Sequence, residues 1–428
     1  MSTPLRLGIA GLGTVGVGVV KIVRQQAALL QARCGREITI TAVSARTRDK
    51  DRGVNISQYA WEDDPVALAT RDDVDVFIEL MGGSDGPAKA ATEAALKAGK
   101  DVVTANKAML AIHGQLLAGL AEGNHRSLRY EAAVAGGIPI VKSLGEGLAA
   151  NEITRVMGVM NGSCNYILTR MENAGLSYER VFDEANALGY LEADPELDVG
   201  GIDAAHKLAI LSALAFGTQV DFDGVEIEGI GCIKIEDIRH AADMGYRIKL
   251  LGVAQMTGRG LEQRMAPCLV PATSALGQLE GGTNMVVIEG SDVGQIVLRG
   301  AGAGEGPTAS AVMGDVCDIA RGMRLPVFGQ PADTLSSAPR ASAAVPAPYY
   351  LRMALHDKPG ALAKIATVLG EAGISINRMR QYDHSDDQAP VLIVTHKTTR
   401  TALDQALIAM DATGVVTEAP VALRIESV

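Results

Sequence analysis

Between residues 185 and 207 the chain reads Ala-Asn-Ala-Leu-Gly-Tyr-Leu-Glu-Ala-Asp-Pro-Glu-Leu-Asp-Val-Gly-Gly-Ile-Asp-Ala-Ala-His-Lys, five carboxylates ahead of one lysine. Acids crowded this closely repel one another unless a cation answers them. On a helix starting near Ile202, Asp203 and Lys207 stand four residues apart on one face, and Leu211 and Leu214 continue that face below the lysine. Glu192, Asp198 and Asp203 can keep such an inward lysine charged and can hold a substrate ammonium. Lys207 can then pass a proton to a developing alkoxide. The competing reading is a solvated acidic loop with one weak i,i+4 ion pair. His206 is turned roughly 100° around the helix from Lys207 and reads as a packing or outer hydrogen-bonding group.

A proton donor needs a reactant beside it, and the N-terminal third carries elements that would bring one. An apolar strand, Leu5–Ala10, runs into Gly11-Leu12-Gly13-Thr14-Val15-Gly16, after which residues 17 to 30 show helical spacing. In such a strand–turn–helix unit the first glycine makes the turn and the second lets the backbone approach a pyrophosphate. The third lets helix and strand pack, and the helix N-terminus faces the anion. Gly11, Gly13, Thr14, Val15 and Gly16 are therefore candidates for dinucleotide binding. The second strand, residues 38 to 43, ends without a carboxylate to grip a ribose 2′-hydroxyl. Arg46, Arg48 and Lys50 follow instead, partly offset by Asp49 and Asp51, which favours the 2′-phosphate of NADP and leaves NAD possible. A third strand over 74–80 ends in Met81-Gly82-Gly83, where the backbone can pass under the nicotinamide ribose. After a helix over 87–98, a strand over 101–104 ends in Ala105-Asn106-Lys107. A lysine there either faces the ligand crevice at the carboxyl end of a parallel sheet or merely opens the next helix on the surface.

Further along, a strand is predicted over 128–133, followed by the bend Val134-Ala135-Gly136-Gly137-Ile138-Pro139. Glu131 and bare carbonyls would suit a small hard cation, although a simple turn explains the same residues. A strand over 153–160 leads into Asn161-Gly162-Ser163-Cys164-Asn165-Tyr166, where the Ser163 hydroxyl is a substrate-binding candidate. Cys164 has no recognisable histidine partner and reads as a core cysteine. Alternating patterns over 225–254 and short apolar runs over 264–298 predict a mixed sheet with helices on one face. The run Gly300-Ala-Gly302-Ala-Gly304-Glu-Gly306 then opens a helix through Ala320, and its small residues suit a close approach to a cofactor.

The chain has 428 residues, enough for two or three domains with their own cores. Hydrophobic residues make 47% and charged residues 21%, a globular composition, and the net charge of -11 argues against a nucleic-acid partner. Five scattered cysteines indicate neither a disulfide framework nor a zinc site and fit a reducing cytoplasm. A strand pattern begins within four residues of the start, so no export signal is expected. The apolar stretches 132–141 and 208–216 are too short for the roughly 20 residues of a membrane span. Residues 330–348, rich in Pro, Ala and Ser, read as a fairly extended linker. Beyond it, strands over 349–355, 374–381, 389–396 and 415–421 and helices over 361–372 and 399–412 give the order βαββαβ.

Five of these segments carry a family resemblance. Ala185, Gly189, Tyr190, Asp194, Pro195, Asp198, Val199, Gly201, Asp203 and Lys207 fit the signature of homoserine dehydrogenases, with Leu191 standing where a small residue is usual. Val-Thr-Ala-Asn-Lys107 and the Asn-Gly-Ser-x-Asn-Tyr turn, with Ser163 in place of threonine, resemble segments of the same family. The turn Asp357-Lys-Pro-Gly360-Ala-Leu362 and the strand Gly-Ile-Ser-Ile-Asn377 resemble ACT domains, which bind amino acids.

The resemblance implies an α/β chain with a Rossmann-type domain over 1–135, completed by about 305–325. A catalytic and dimerisation α+β domain over 136–304, a linker over 330–348 and an ACT domain over 349–428 would follow. It implies reversible NADPH-dependent reduction of L-aspartate 4-semialdehyde to L-homoserine, with Lys207 as proton donor and Lys107 as a second cation. Glu192, Asp203, Asp198, Tyr190, Gly162 and Ser163 would bind the substrate. Gly189, Gly302 and Gly304 would join Arg46, Lys50, Met81 and the glycine turn at the cofactor. A structural sodium ion would sit at Glu131, Val134, Gly136 and Ile138. Threonine is the expected effector at Gly360, Leu362 and Asn377, and a homodimer or higher oligomer is expected. Against this stand another NADP-linked amino-acid oxidoreductase, which would lack the 185–207 signature, and a catalytically silent amino-acid sensor. A purely structural dimerisation role is the alternative for the last domain.

Overall fold

The computed structural model describes residues 3–191, 194–381 and 388–428. Two sheets organise it. The first takes the order β3 (Ala60–Trp61), β2 (Ile38–Ser44), β1 (Leu5–Ala10), β4 (Val76–Glu79), β5 (Asp101–Thr104), β6 (Leu128–Arg129), and its strands are parallel. Parallel strands buried on both faces need helices as crossovers, and the fully buried Leu7, Ile9, Ile78 and Val103 show this burial. This is a Rossmann-type unit. The first helix spans Thr14–Gln25, breaks at Gln26 and resumes as Ala27–Cys34, so the expected single helix is two. The later Glu305–Ala320 helix packs across it. A methyl group on Gly18 would sit 2.8 Å from the Glu305 carbonyl and 2.9 Å from the Ala309 Cβ, so the glycine permits the approach.

The second sheet joins β7 (Ile153–Val159), β8 (Val225–Ile227), β9 (Tyr246–Thr257), β10 (Gly260–Pro271), β11 (Thr283–Gly290) and β12 (Gly294–Ala301) to four C-terminal strands. Those are β13 (Tyr349–His356), β14 (Ile376–Gln381), β15 (Gln388–Thr395) and β16 (Val421–Ile425). The order is β12-β11-β7-β9-β10-β16-β13-β15-β14, with β8 beside β10. The βαββαβ order of the ACT unit is present, with helices Ala361–Glu371 and Arg400–Ala412 over a core around Leu351, Ile365 and Leu403. The Ile202–Phe216 helix is buried along most of its length and packs into the main core.

Two further sequence expectations need correction. The strand expected over 128–133 stops at Arg129, and Glu131–Ala133 forms a 3₁₀ turn instead. Ala135 then takes φ 51° and Gly136 φ 24°, conformations incompatible with a strand. The last strand, expected over 415–421, runs from Val421 to Ile425. Val415 is buried in the ACT core and Val416 makes only an isolated bridge to Leu355. The segment expected to be a linker touches the second sheet: Leu261 N–H donates to the Pro339 carbonyl at 2.8 Å, and Ala341 N–H to the Leu261 carbonyl at 2.9 Å.

Candidate active site

Asp203 lies in the first turn of the Ile202–Phe216 helix, whose N-cap Gly201 takes φ 84°. The unpaired N–H groups of that turn favour a negative charge. Its carboxylate bridges two ammonium groups, with Lys107 Nζ at 2.8 Å from Oδ1 and Lys207 Nζ at 2.7 Å from Oδ2. Lys207, 9% exposed, also donates to the Met160 carbonyl at 2.8 Å. Burial works to raise the Asp203 carboxyl, yet Lys207 and Lys107 outweigh it and hold it well below the usual carboxylate range. His206 packs its ring against Phe222, with centroids 4.3 Å apart, and burial lowers its pKa toward the neutral form.

Each partner is fixed by its own element. Lys107 opens the Lys107–Gly123 helix, capped by the Asn106 side chain, which accepts from Met109 N–H at 3.1 Å. Asn161 caps the Gly162–Ala174 helix by accepting from Cys164 N–H at 2.8 Å, and its Nδ2 donates to Asp198 Oδ1 at 2.8 Å. Ser163 donates its hydroxyl to the Tyr190 carbonyl at 2.6 Å, and the Tyr190 ring stacks on Tyr166 with centroids 4.3 Å apart. Leu191, the departure from the signature, packs against the main core. Cys164 is buried, and burial pushes its thiol up, away from nucleophilic character. Glu192 lies outside the described residues.

A cavity of about 590 Å³ gathers Lys107, Asp198, Asp203 and Lys207 with Gly162, Ser163, Gly189 and Tyr190. Thr14, Val15, Gly136, Gly302 and Gly304 line the same space. A second cavity, about 660 Å³, is lined by Gly11, Gly13, Arg46, Lys50 and Met81, together with Ser44 and Arg52. Gly16 lines neither; a Cβ there would overlap the Gly11 carbonyl, so this glycine serves the close packing of turn and helix. Gly13 faces open space, as a backbone approached by a ligand must. Sequence reasoning did not single out Arg52, whose guanidinium donates to the carbonyls of Thr47, Arg48 and Lys50 and so clasps the cationic loop. It also missed Asn284, which lines the first cavity at 1% exposure with its Oδ1 unpartnered among the described residues.

At the bend, Val134 and Ile138 are buried and Gly136 borders a third cavity with Glu131 and Ile138. The Glu131 carboxylate accepts N–H groups from Val141 at 3.0 Å and Lys142 at 2.8 Å. Burial and the nearby Asp315 push its carboxyl up to about 7. Asp315, raised by burial to about 6, accepts from Glu131 N–H at 2.8 Å and faces Lys142 at 3.3 Å. Lys142 also pairs with Asp318. Lys142 thus answers both Asp315 and Asp318, and Arg321 shares Asp318 at 3.3 Å. On the ACT unit, Gly360 is the exposed N-cap of Ala361–Glu371, Leu362 is half-buried in its first turn, and Asn377 is exposed on β14.

A Rossmann cleft that opens onto two ammonium groups sharing a buried carboxylate suits hydride transfer to a carbonyl, and the class it defines is that of nicotinamide-dependent dehydrogenases. Comparison with known proteins narrows this. Family models for homoserine dehydrogenase, for its NAD-binding domain and for the ACT domain match residues 139–317, 11–131 and 349–411. Homoserine dehydrogenase of Neisseria gonorrhoeae is 42% identical over 432 residues, covering 99% of both chains, and that of Pseudomonas aeruginosa is 40% identical over 435 residues with the same coverage. The structure of a homoserine dehydrogenase from Thiobacillus denitrificans superposes with a TM-score of 0.94 at 38% identity, covering 99% of each chain. A hyperthermophilic archaeal homoserine dehydrogenase in complex with NADPH matches 75% of this chain and 99% of its own, with a TM-score of 0.64 at 26% identity. The chain belongs to the homoserine dehydrogenase family and is an oxidoreductase with an NAD(P)-binding domain and an ACT domain. Among the described residues no helix is long and apolar enough to cross a membrane.

Proposed function

We propose that the chain reduces L-aspartate 4-semialdehyde to L-homoserine with NADPH, reversibly, at the Lys107–Asp203–Lys207 bridge. That bridge carries the reading, because it places two charged ammonium groups in a cavity shared with the glycine turn. A bound reduced nicotinamide supplies the hydride to the aldehyde carbon. Lys207 holds two of its three N–H groups on Asp203 and the Met160 carbonyl, leaving the third for the aldehyde oxygen. As that oxygen becomes an alkoxide it takes a proton from Lys207 Nζ, and the neutral amine recovers a proton from solvent. Lys107 adds a second positive charge beside the same oxygen and lowers the energy of the developing anion. Asp203 pairs with both lysines and fixes their positions before the reaction. Asp198, held by Asn161, and Glu192 hold the substrate ammonium, and Ser163, Gly162 and Tyr190 close the substrate side.

The cations of Arg46, Lys50 and the clasped loop favour NADP over NAD, and the archaeal relative's complex with NADPH supports this. A monovalent cation would sit at the bend, beside the buried Glu131 and Asp315 carboxyls. Glu131 and the carbonyls of Val134, Gly136 and Ile138 would hold sodium, which would there neutralise charge and fix the bend. Threonine is the proposed effector at Gly360, Leu362 and Asn377, which makes the reaction a regulated step of threonine biosynthesis in the cytoplasm, carried out by a homodimer or a larger assembly. One assay tests the reading. Absorbance at 340 nm should fall with semialdehyde and NADPH, more slowly with NADH, and less when threonine is added or sodium is replaced by choline. No oxidation with either nicotinamide would sink it.

A further inference from the structure

The carboxyl end of β4 carries an acid that the hydride chemistry does not use. Glu79 is fully buried. Its Oε1 accepts the N–H groups of Met81 at 2.7 Å and Gly82 at 3.1 Å, and its Oε2 accepts the Thr104 hydroxyl at 2.6 Å. The Thr104 oxygen in turn accepts the Asn106 N–H at 3.0 Å, and the Asn106 side chain donates to the Gly83 carbonyl at 2.7 Å. Burial pushes the Glu79 carboxyl up, a cost that an apolar residue at this strand end would avoid. What the acid provides is the connection between two loops that leave neighbouring strands.

That connection has geometric consequences. The N–H and C=O of a trans peptide point in opposite directions. With the Met81 and Gly82 N–H groups turned inward to Glu79, the carbonyls of Leu80 and Met81 are turned outward. The Leu80 carbonyl lies against Gly11, where a Cβ would overlap it, and Met81 lines the nucleotide cleft. On the other side, Asn106 directly precedes Lys107, the residue that reaches Asp203. We propose that Glu79 is a positioning residue for the dehydrogenase reaction: it ties the Met81–Gly83 loop to the Thr104–Asn106 turn, so that the cofactor-facing carbonyls and the Lys107 ammonium are set as one unit. Its effect on turnover rests on the role given to Lys107 above, whereas the tie itself does not.

Glu79→Gln replaces one accepting oxygen with an NH₂ donor at constant reach, Thr104→Val removes the bridging hydroxyl at nearly constant shape, and Thr104→Ser keeps that hydroxyl. Amide hydrogen exchange of the cofactor-free protein should speed up about tenfold in both loops for Glu79→Gln and for Thr104→Val, the loss expected of one buried hydrogen bond. Both variants should lower kcat about tenfold and raise the KM for NADPH, while Thr104→Ser stays near wild type. The double variant should be no worse than the worse single one, because the residues act through one link. Unchanged exchange in either loop, wild-type kcat in folded Thr104→Val, or losses that multiply in the double variant would overturn the proposal. Should Glu79→Gln fail to fold, Thr104→Val and Thr104→Ser carry the same comparison. If the wild-type chain proves inactive on semialdehyde, the function proposed above falls, and exchange still decides the tie.

Discussion

At the scale of single residues, the buried lysines do different work. Lys207 is held in place by donating hydrogen bonds to Asp203 and the Met160 carbonyl. Lys207→Met keeps length and packing and removes the donor, and Asp203 retains Lys107 as its partner. The expected result is a fall in kcat of about a thousandfold with NADPH affinity within about twofold of wild type. Normal turnover with weakened cofactor binding would move Lys207 from the reaction to the nucleotide. Lys249, on β9, has no such role; it donates to Asn165 Oδ1 at 3.0 Å and to the Leu279 carbonyl, and burial pushes it down to about 8 from 10.5. The folded chain therefore sheds this proton before the unfolded chain does, and stability from this group rises with pH between about 8 and 10.5, by roughly 3 kcal/mol in all. The difference in unfolding free energy between wild type and Lys249→Met should climb over that window. A constant difference would mean that the lysine titrates alike in both states.

At the scale of elements, the turn between β12 and the Glu305–Ala320 helix is the tightest joint around the cavity. A Cβ on Gly302 would overlap the Asn284 side-chain amide, and the Gly302 carbonyl lies 2.8 Å from where a Cβ on Gly136 would stand. Gly302→Ala should cost about 1–3 kcal/mol and weaken NADPH binding, and Asn284→Ala in the same chain should recover most of the stability. A single variant with wild-type Tm would show that the joint has slack. Local elements such as β1 and its glycine turn were legible because their spacing repeats within a few residues. So was the Asp203–Lys207 face, a four-residue spacing on one helix. What escaped depends on partners distant in sequence. Glu79 looks like any acid at a strand end until Thr104 closes on it, and Asn284 looks like a polar strand residue until Gly302 lies over it. The apolar Val415 and Val416 predict the last strand too early. Val415 is claimed by the ACT core, and pairing resumes only beyond Pro420.

At the scale of the molecule, the ACT unit is joined to the catalytic sheet by hydrogen bonds: β16 lies between β13 and β10, with Cys268 opposite Arg424 and Leu269 opposite Ile425. Residues 156 positions apart pair here, and no local periodicity announces it. The join is also ionic. Glu426, 4% exposed, pairs with Arg155 of β7 at 2.6 Å, with Arg264 of β10 and with Arg424 of β16, and its N–H donates to the Leu269 carbonyl at 2.9 Å. The three arginines hold its carboxyl below the usual range against the opposing effect of burial, so the charge belongs to the folded state. Glu426→Ala leaves these guanidinium groups short of a partner inside the sheet, which should cost about 3–5 kcal/mol and lower the Tm by several degrees. Arg340→Ala, which removes an exposed pair with Asp221, should change the Tm by about 1 °C or less and serves as the control. Because β7 carries Arg155 and ends at Val159, next to Met160, whose carbonyl holds Lys207, Glu426→Ala should also lower kcat in the folded protein. A wild-type Tm and kcat in that variant would mean that the ACT unit and the catalytic sheet are stable independently, and that an effector bound at one must reach the other by another route.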